Sequence, residues 1–183
     1  MVKIDVITTR GGDGGETSLG DGTRLRKDAL RIQAIGEVDE LNSLLGLLRL
    51  QADAEADAML ARMQNDLFDL GADLCMPGAE GGLRVAAEQC LRLEREVAAM
   101  NARIPPLRSF VLPGGSAAAA HAHLARAVAR RAERSVVALA AAEPVNAAVV
   151  RWLNRASDHL FVMARRFNDN GAEDVLWVPG GNR

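Results

Sequence analysis

Cysteine is scarce: Cys75 and Cys90 are the only two in 183 residues, and they form no Cys-x-x-Cys pair. That excludes a disulfide framework and makes a reducing, cytoplasmic setting the expectation. No apolar run approaches the roughly 18 residues of a membrane span. Met1-Val2-Lys3-Ile4-Asp5 offers no apolar signal core either, so no membrane partner is expected. Charge of one sign is not in excess: 22 basic against 24 acidic residues leave a net −2. A dedicated nucleic-acid or polybasic membrane binder would need a clear positive surplus. Tyrosine is missing, and the valines and isoleucines fall on helical spacing, so strand signals are almost absent. Lysine is nearly missing as well: Lys3 and Lys27 stand beside 20 arginines. The 32 alanines fit codon bias in a GC-rich genome, to which Arg-rich phosphate recognition would add.

What is present reads as a globular domain, 49% apolar and 25% charged. The expected division of residues 1–183 is an N-terminal segment (1–28), a helical bundle (29–170) and a C-terminal tail (171–183). Ile32, Ile35, Val38, Leu41, Leu44, Leu45 and Leu48 recur every three or four residues, one face of an amphipathic helix. A second helix is predicted over 54–75, with Met59, Met63, Leu67, Leu70 and Leu74 on one stripe. Pro77, Gly78, Gly81 and Gly82 end it. A third spans 84–102 with Leu91, Val97 and Met100 inward, closed by Ile104-Pro105-Pro106. Ser116 is the predicted N-cap of a fourth, alanine-dense helix that Glu143-Pro144 stops. A fifth covers 146–167. Short connections between long helices favour antiparallel neighbours, so the fold class is all-α, a five-helix bundle.

Residues 10–28 are glycine-rich and polar, a long connection for a helical domain and therefore either functional or a flexible arm. Glycines let backbone approach an anion, and Thr, Ser and cationic side chains complete a phosphate cradle. It is not a Walker A loop, because Glu16 stands where Lys should precede the Ser/Thr. Nor is it a dinucleotide fingerprint, since Thr17 replaces the third Gly. On the fourth helix Arg126, Arg130 and Glu133 or Arg134 share a face, which is either a solvated face relieved by Glu133 or an anion site. Arg131 lies about 100° round the helix from Arg130 and reads as structural. Asn154 and Asp158 are i, i+4 neighbours among apolar residues, either a satisfied buried pair or a ligand contact.

A di-iron carboxylate bundle needs Glu-x-x-His on two helices. None of His121, His123 and His159 has Glu three residues before it, so no protein-ligated metal centre is expected. No Ser-His-Asp or Cys-His arrangement stands out, and no pair of carboxylates suggests a general base. Any reaction here would rest on positioning and charge neutralisation.

In order along the chain stand Thr9-Arg10-Gly11-Gly12-Asp13-Gly14-Gly15-Glu16-Thr17-Ser18-Leu19 with Gly22, Arg24 and Lys27, then Val38-Asp39-Glu40-Leu41-Asn42-Ser43. Phe110-Val111-Leu112-Pro113-Gly114-Gly115, Ala125-Arg126, Arg130-Arg131-Ala132-Glu133-Arg134 and Leu153-Asn154-Arg155-Ala156-Ser157-Asp158-His159-Leu160-Phe161 follow. Together they resemble the PduO-type ATP:cob(I)alamin adenosyltransferases. Any one motif is weak, and six in family order over residues 8–167 are specific.

The resemblance implies a homotrimer of five-helix bundles with active sites between subunits. It also implies transfer of the 5′-deoxyadenosyl group from ATP to a reduced corrinoid, leaving triphosphate. Cob(I)alamin is itself a strong nucleophile, which suits the missing base. By motif match, Thr9, Arg10, Gly11, Gly12, Thr17, Ser18 and Lys27 should fold over the triphosphate. Arg130, Glu133, Arg134 and Asn154 should hold ATP from the helices, with Mg²⁺ riding on phosphate oxygens and water. Phe110, Asp39, Arg126 and Phe161 should meet the corrinoid. Phe110 would crowd its lower face, displacing the axial base to give a four-coordinate Co(II) that is easier to reduce, while Asp39 and Arg126 would bridge subunits. Arg130, Lys27 and Phe110 are the residues expected to matter most for the reaction.

A reductase and a B12-dependent acceptor enzyme are the implied partners. Gly11 stands where many members have Thr, Arg10 where Lys is common, and His159 and Trp152 where Tyr is frequent. The tail with Trp177 is poorly covered and is expected near the corrin. Two other readings are a corrinoid or nucleotide carrier that kept the fold without the chemistry, and a purely structural trimer.

Overall fold

The computed structural model describes residues 7–78 and 82–183. Gly81 and the Met1-Val2-Lys3-Ile4-Asp5 segment, both used in reading the sequence, lie outside the described residues. A short hairpin comes first: β1 (Glu16–Ser18) pairs antiparallel with β2 (Arg24–Arg26), Thr17 opposite Leu25. Five long helices follow: α1 (Leu30–Arg49), α2 (Ala54–Cys75), α3 (Ala87–Asn101), α4 (Ala117–Ala142) and α5 (Ala147–Phe167).

Side-chain caps start three of them where the sequence places them. Asp53 accepts from Ala56 N, Ser116 Oγ from Ala119 N, and Asn146 from Ala148 N. Each satisfies an N–H that the first turn leaves without a helical partner. The third helix begins later than the apolar pattern suggests, at Ala87. Residues ahead of it are pinned in extended form, because Val85 N donates to buried Asp73 at 2.9 Å. Its inward face is Cys90, Leu93 and Met100, whereas Leu91 is 42% exposed. The expectation for Leu91 is corrected: it sits one step, about 100°, round the helix from Cys90.

Helices α1 and α4, α4 and α5, α1 and α2, and α3 and α5 pack directly against one another. The core runs along these seams from Val38, Leu41, Leu45 and Leu48 through Leu60, Met63, Leu67, Leu70 and Leu74 to Trp152, Leu153 and Leu160. On α4 the inward stripe is Ala119, Ala122, Ala125, Ala129 and Ala132, and such short side chains let neighbouring backbones approach closely. Where α2 faces α3 and α5, a polar network closes the bundle. Asp66 accepts from Trp152 Nε1 at 2.7 Å, from Gln89 at 2.9 Å and from Arg92. One turn away Glu96 accepts from Arg62 at 2.6 Å and bonds His159 Nε2 at 2.9 Å. His159, aligned in sequence with an expected tyrosine, is therefore a buried structural contact between α5 and α3.

The N-terminal hairpin docks at one end of the bundle. Leu19 is buried, Gly20 N donates to Cys75 O at 3.1 Å, and Arg31 joins Leu74 O to the Glu143 carboxylate. At the opposite end, Asn168 accepts from Ser116 N and donates to Gly114 O, clasping the start of α4 to the end of α5. No helix among the described residues is long and apolar enough to cross a membrane.

Candidate active site

Residues 9–27 are ordered by their own hydrogen bonds. Asp13 N donates to Arg10 O and Gly15 N to Gly12 O, making two successive turns, with Arg10 in the left-handed region at φ 59°. Turns of this kind present backbone N–H groups that an anion accepts. Thr9 Oγ1 receives Gly11 N at 3.4 Å. Arg24 ties the two arms together, donating to Gly11 O at 2.8 Å and to Ser18 Oγ at 3.3 Å. A Cβ on Gly12 would fall 3.0 Å from Lys27 Nζ, so the absent side chain leaves room for that ammonium to lie over the turn. Thr9, Arg10, Gly11, Gly12, Thr17, Ser18 and Lys27 are thus gathered in one surface segment. The hairpin inside it went unforeseen, for its strands are only three residues long.

A second cluster lies midway along α4 and α5. Arg130, Glu133, Arg134, Val137 and Asn154 line a cleft of about 360 Å³. Glu133 and Asn154 also border a neighbouring cleft of about 520 Å³ with Leu91, Val150 and Arg151. Asn154 Nδ2 donates to Glu133 Oε1 at 2.8 Å. Glu133 is therefore turned toward α5 and not toward the arginines it was expected to relieve. Arg130 and Arg134 are exposed and make no ion pair with any carboxylate among the described residues. Arg131 is different: it pairs with Glu40 of α1, which bears out its structural reading. Asp158 pairs with Arg155 at 3.0 Å and does not join Asn154.

A third group surrounds the middle and start of α4. Arg126 is half-buried, and its Nε has no hydrogen-bond partner. Burial, and then the charge of Arg130, pulls its pKa down. One turn earlier His123 is buried with neither ring nitrogen partnered, its ring edge-on to Phe161 at 6.2 Å. Asp39 is exposed on α1 beside an apolar hollow of about 540 Å³ that includes Ile35, Val38 and Phe68. Within one chain Asp39 and Arg126 form no ion pair. Phe110 stands at the surface ahead of α4, 76% exposed.

Residues 7–167 match the family model described as cobalamin adenosyltransferase. The chain belongs to the cobalamin adenosyltransferase family. It is 51% identical over 178 residues to the cobalamin adenosyltransferase of Cupriavidus metallidurans, covering 96% of this chain and 95% of that one. It is 45% identical to the corrinoid adenosyltransferase of Mycobacterium tuberculosis H37Rv, covering 100% and 97%. Among solved structures it is similar to a PduO-type ATP:corrinoid adenosyltransferase from Lactobacillus reuteri, a phenylalanine-to-histidine variant complexed with cobalamin and ATP. That likeness has a TM-score of 0.88 at 34% identity over 94% of this chain and 96% of the other. The chain is an enzyme of this class, and its five-helix fold is the family's.

In a single chain of this adenosyltransferase the loop and the arginine cluster stand apart. No hydrogen bond or ion pair joins residues 7–28 to α4 or α5 among the described residues. The loop end of α4 is marked by Glu143, about 20 Å of helix beyond Arg130. Sequence reading also missed what holds Phe110. Residues 175–177 pair antiparallel with 110–112, and the Trp177 ring lies 6.0 Å from that of Phe110. No group of three or more His, Cys, Asp or Glu side chains among the described residues is placed to hold a metal ion.

Proposed function

We propose that the chain transfers the 5′-deoxyadenosyl group of ATP to the cobalt of a Co(I) corrinoid by direct attack on C5′. The Co(I) electron pair forms the Co–C bond, the C5′–O bond breaks, and the electrons of that bond leave with triphosphate. Cobalt is oxidised by two electrons in the step, and no proton need move. The protein's work is then alignment of C5′ with cobalt and stabilisation of the charge that builds on the leaving group.

The observation that carries this reading is the pair of exposed guanidiniums, Arg130 and Arg134, left without carboxylates because Asn154 holds Glu133 aside. Two unneutralised cations on one helix face invite a polyanion. Arg130 faces the leaving phosphates, Arg134 and the Glu133–Asn154 pair hold the nucleotide, and Thr9, Arg10, Gly11, Gly12, Thr17, Ser18 and Lys27 cover the triphosphate. Mg²⁺ enters as part of the nucleotide substrate, on phosphate oxygens and water.

The active enzyme is a homotrimer with its sites between subunits. Two features support this: the loop and the arginines do not meet in one chain, and Arg126 Nε lacks an acceptor that Asp39 of a neighbouring copy would supply. Phe110 and Phe161 meet the corrinoid, Phe110 crowding its lower face so that the axial base is displaced and Co(II) becomes easier to reduce. A reductase that supplies Co(I) and a B12-dependent acceptor of the product are the partners this chemistry calls for. Two free cysteines suit a reducing cytoplasm.

The test is the optical change on adding ATP and protein to reduced cobalamin, with triphosphate measured in the same sample. Adenosylcobalamin and triphosphate should appear in equal amounts. ATP binding with no triphosphate release would instead make the protein a carrier.

A further inference from the structure

We propose that residues 174–178 are a strap that sets where Phe110 stands, which makes Trp177 a positioning residue for the corrin side of the reaction. The inference rests on the reading of Phe110 given above and adds the means by which that ring is held.

Phe110 has little else to fix it. It lies in irregular chain between α3 and α4, and with 76% of its surface exposed no core packing selects its rotamer. An exposed side chain on such a segment changes rotamer in picoseconds to nanoseconds. A group that must crowd a bound ligand has to be held far more closely than that, by neighbours whose own positions are locked.

The strap supplies those neighbours on both sides of the residue. Trp177 N donates to Phe110 O at 2.7 Å, and Leu112 N donates to Val175 O at 2.8 Å. Ser109 Oγ donates to Trp177 O at 2.7 Å. Val111 and Leu176 form the antiparallel bridge between these bonds. The Trp177 ring leans on the Phe110 ring, centroids 6.0 Å apart and planes at 54°, within the range of favourable tilted aromatic pairs. Every residue from 109 to 112 is therefore tied to the strap.

The strap itself is anchored in the bundle. Asp174 accepts from Arg165 Nε of α5 at 2.6 Å, with 2% and 6% of the two side chains exposed. Its other oxygen accepts from Asn168 at 3.2 Å. Arg165 also donates to Pro105 O at 3.0 Å, and Asn168 clasps Gly114 and Ser116. Arg165 of α5 and Asn168 just beyond its end thus hold the strap and both ends of the Phe110 segment. Trp177 is the strap residue whose ring, as well as backbone, reaches Phe110.

The test uses the full-length protein loaded with ATP and cob(II)alamin, and reads the fraction of four-coordinate Co(II) by electron paramagnetic resonance. Turnover and the KM for ATP are measured beside it, for wild type, Trp177→Ala, Trp177→Phe, Ser109→Ala and Phe110→Ala. Trp177→Ala should lose most of the four-coordinate signal, with kcat falling by up to about a hundredfold, the scale on which a misplacement of about 1 Å acts. Its KM for ATP and its thermal stabilisation by ATP should stay at wild-type values. Trp177→Phe should restore most of the signal, and Ser109→Ala, which removes one bond and no ring, should lose part of it.

A wild-type signal in Trp177→Ala, with the signal lost in Phe110→Ala, would overturn the strap and leave the Phe110 reading standing. A wild-type signal in both would sink the Phe110 reading and the strap with it. Should Trp177→Ala fail to fold, the graded loss in Ser109→Ala and the recovery in Trp177→Phe decide the matter.

Discussion

Asn154 reaches from α5 to α4 and takes hold of Glu133, Nδ2 to Oε1 at 2.8 Å. That one bond turns the carboxylate away from the arginines three residues before it and one after it. In Asn154→Ala the carboxylate is released, and it will swing to Arg130 or Arg134 and neutralise them. A hydrogen bond to a charged group contributes about 1.5–3 kcal/mol, so kcat/KM for ATP should fall roughly ten- to a hundredfold. Initial-rate kinetics in ATP will check this, with far-ultraviolet circular dichroism to show the helices unchanged.

If Arg130 faces the leaving phosphates as proposed, Arg130→Ala removes a donor from the place where leaving-group charge develops. Loss of one such preorganised donor costs about 10²–10³ in kcat. Triphosphate release at saturating ATP should drop by that factor while the protein stays folded. Arg130→Lys should recover only part of the rate, because an ammonium cannot offer the planar fork of a guanidinium. Normal turnover in Arg130→Ala would remove this residue from the site.

Asp66 ties three helices together through Trp152, Gln89 and Arg92 and is buried. Asp66→Ala strands the buried Trp152 indole N–H and takes from half-buried Arg92 its nearest carboxylate, leaving Glu96 at 3.8 Å. Breaking a buried charged pair in this way costs about 3–5 kcal/mol. The urea midpoint should fall accordingly. The exposed Arg26–Asp28 pair makes the contrast, and Asp28→Ala should leave the midpoint unmoved.

Burial, and then the charge of Arg126, holds His123 below its ordinary 6.5, with Asp174 pulling weakly the other way. The unfolded chain therefore binds this proton more tightly than the folded one. Stability contributed by the neutral imidazole is present above pH 6.5 and is lost as pH falls through that value. Melting temperatures measured down from neutral pH should decline in wild type and decline less steeply in His123→Leu. An identical slope in the two proteins would show that His123 does not titrate against folding.

Gly115 sits at φ 95°, and a Cβ there would fall 2.2 Å from Asn168 Oδ1. Gly115→Ala has to strain the backbone and push aside the amide that accepts from Ser116 N and braces Asp174. Left-handed backbone at a non-glycine residue costs about 1–3 kcal/mol, and the displaced clasp adds to it. The melting temperature should drop, and Asn168→Ala made in the same background should drop it by less than it does alone, since the clasp is already broken.

Much of the molecule was legible from residues alone. Ser116 announces a helix start because its short polar side chain satisfies an N–H group that the first turn orphans, and Asp53 and Asn146 do the same in the structure. Pro77, Pro105, Pro106 and Pro144 announce where helices stop. Six ordered motifs mark the family in the sequence alone. Two misses have separate causes: Leu91 lies about 100° from Cys90, off the buried face, and the start of α3 depends on Asp73, twelve residues before Val85. The hairpin escaped notice because three-residue strands carry almost no periodic signal.

The sequence by itself determined which segments are helical, where most of them begin and end, and to which family the chain belongs. Those properties depend on spacing along the chain and on caps a few residues away. The tertiary structure alone decided which charges are free and which are neutralised. Arg131 is held by Glu40 at the other end of a sequence separation of 91 residues, while Glu133 is drawn off by Asn154, so Arg130 and Arg134 stay open. It also decided that the tail and the Phe110 segment are partners. Pairing between distant segments depends on which surfaces folding brings together, and no local pattern in either segment encodes it.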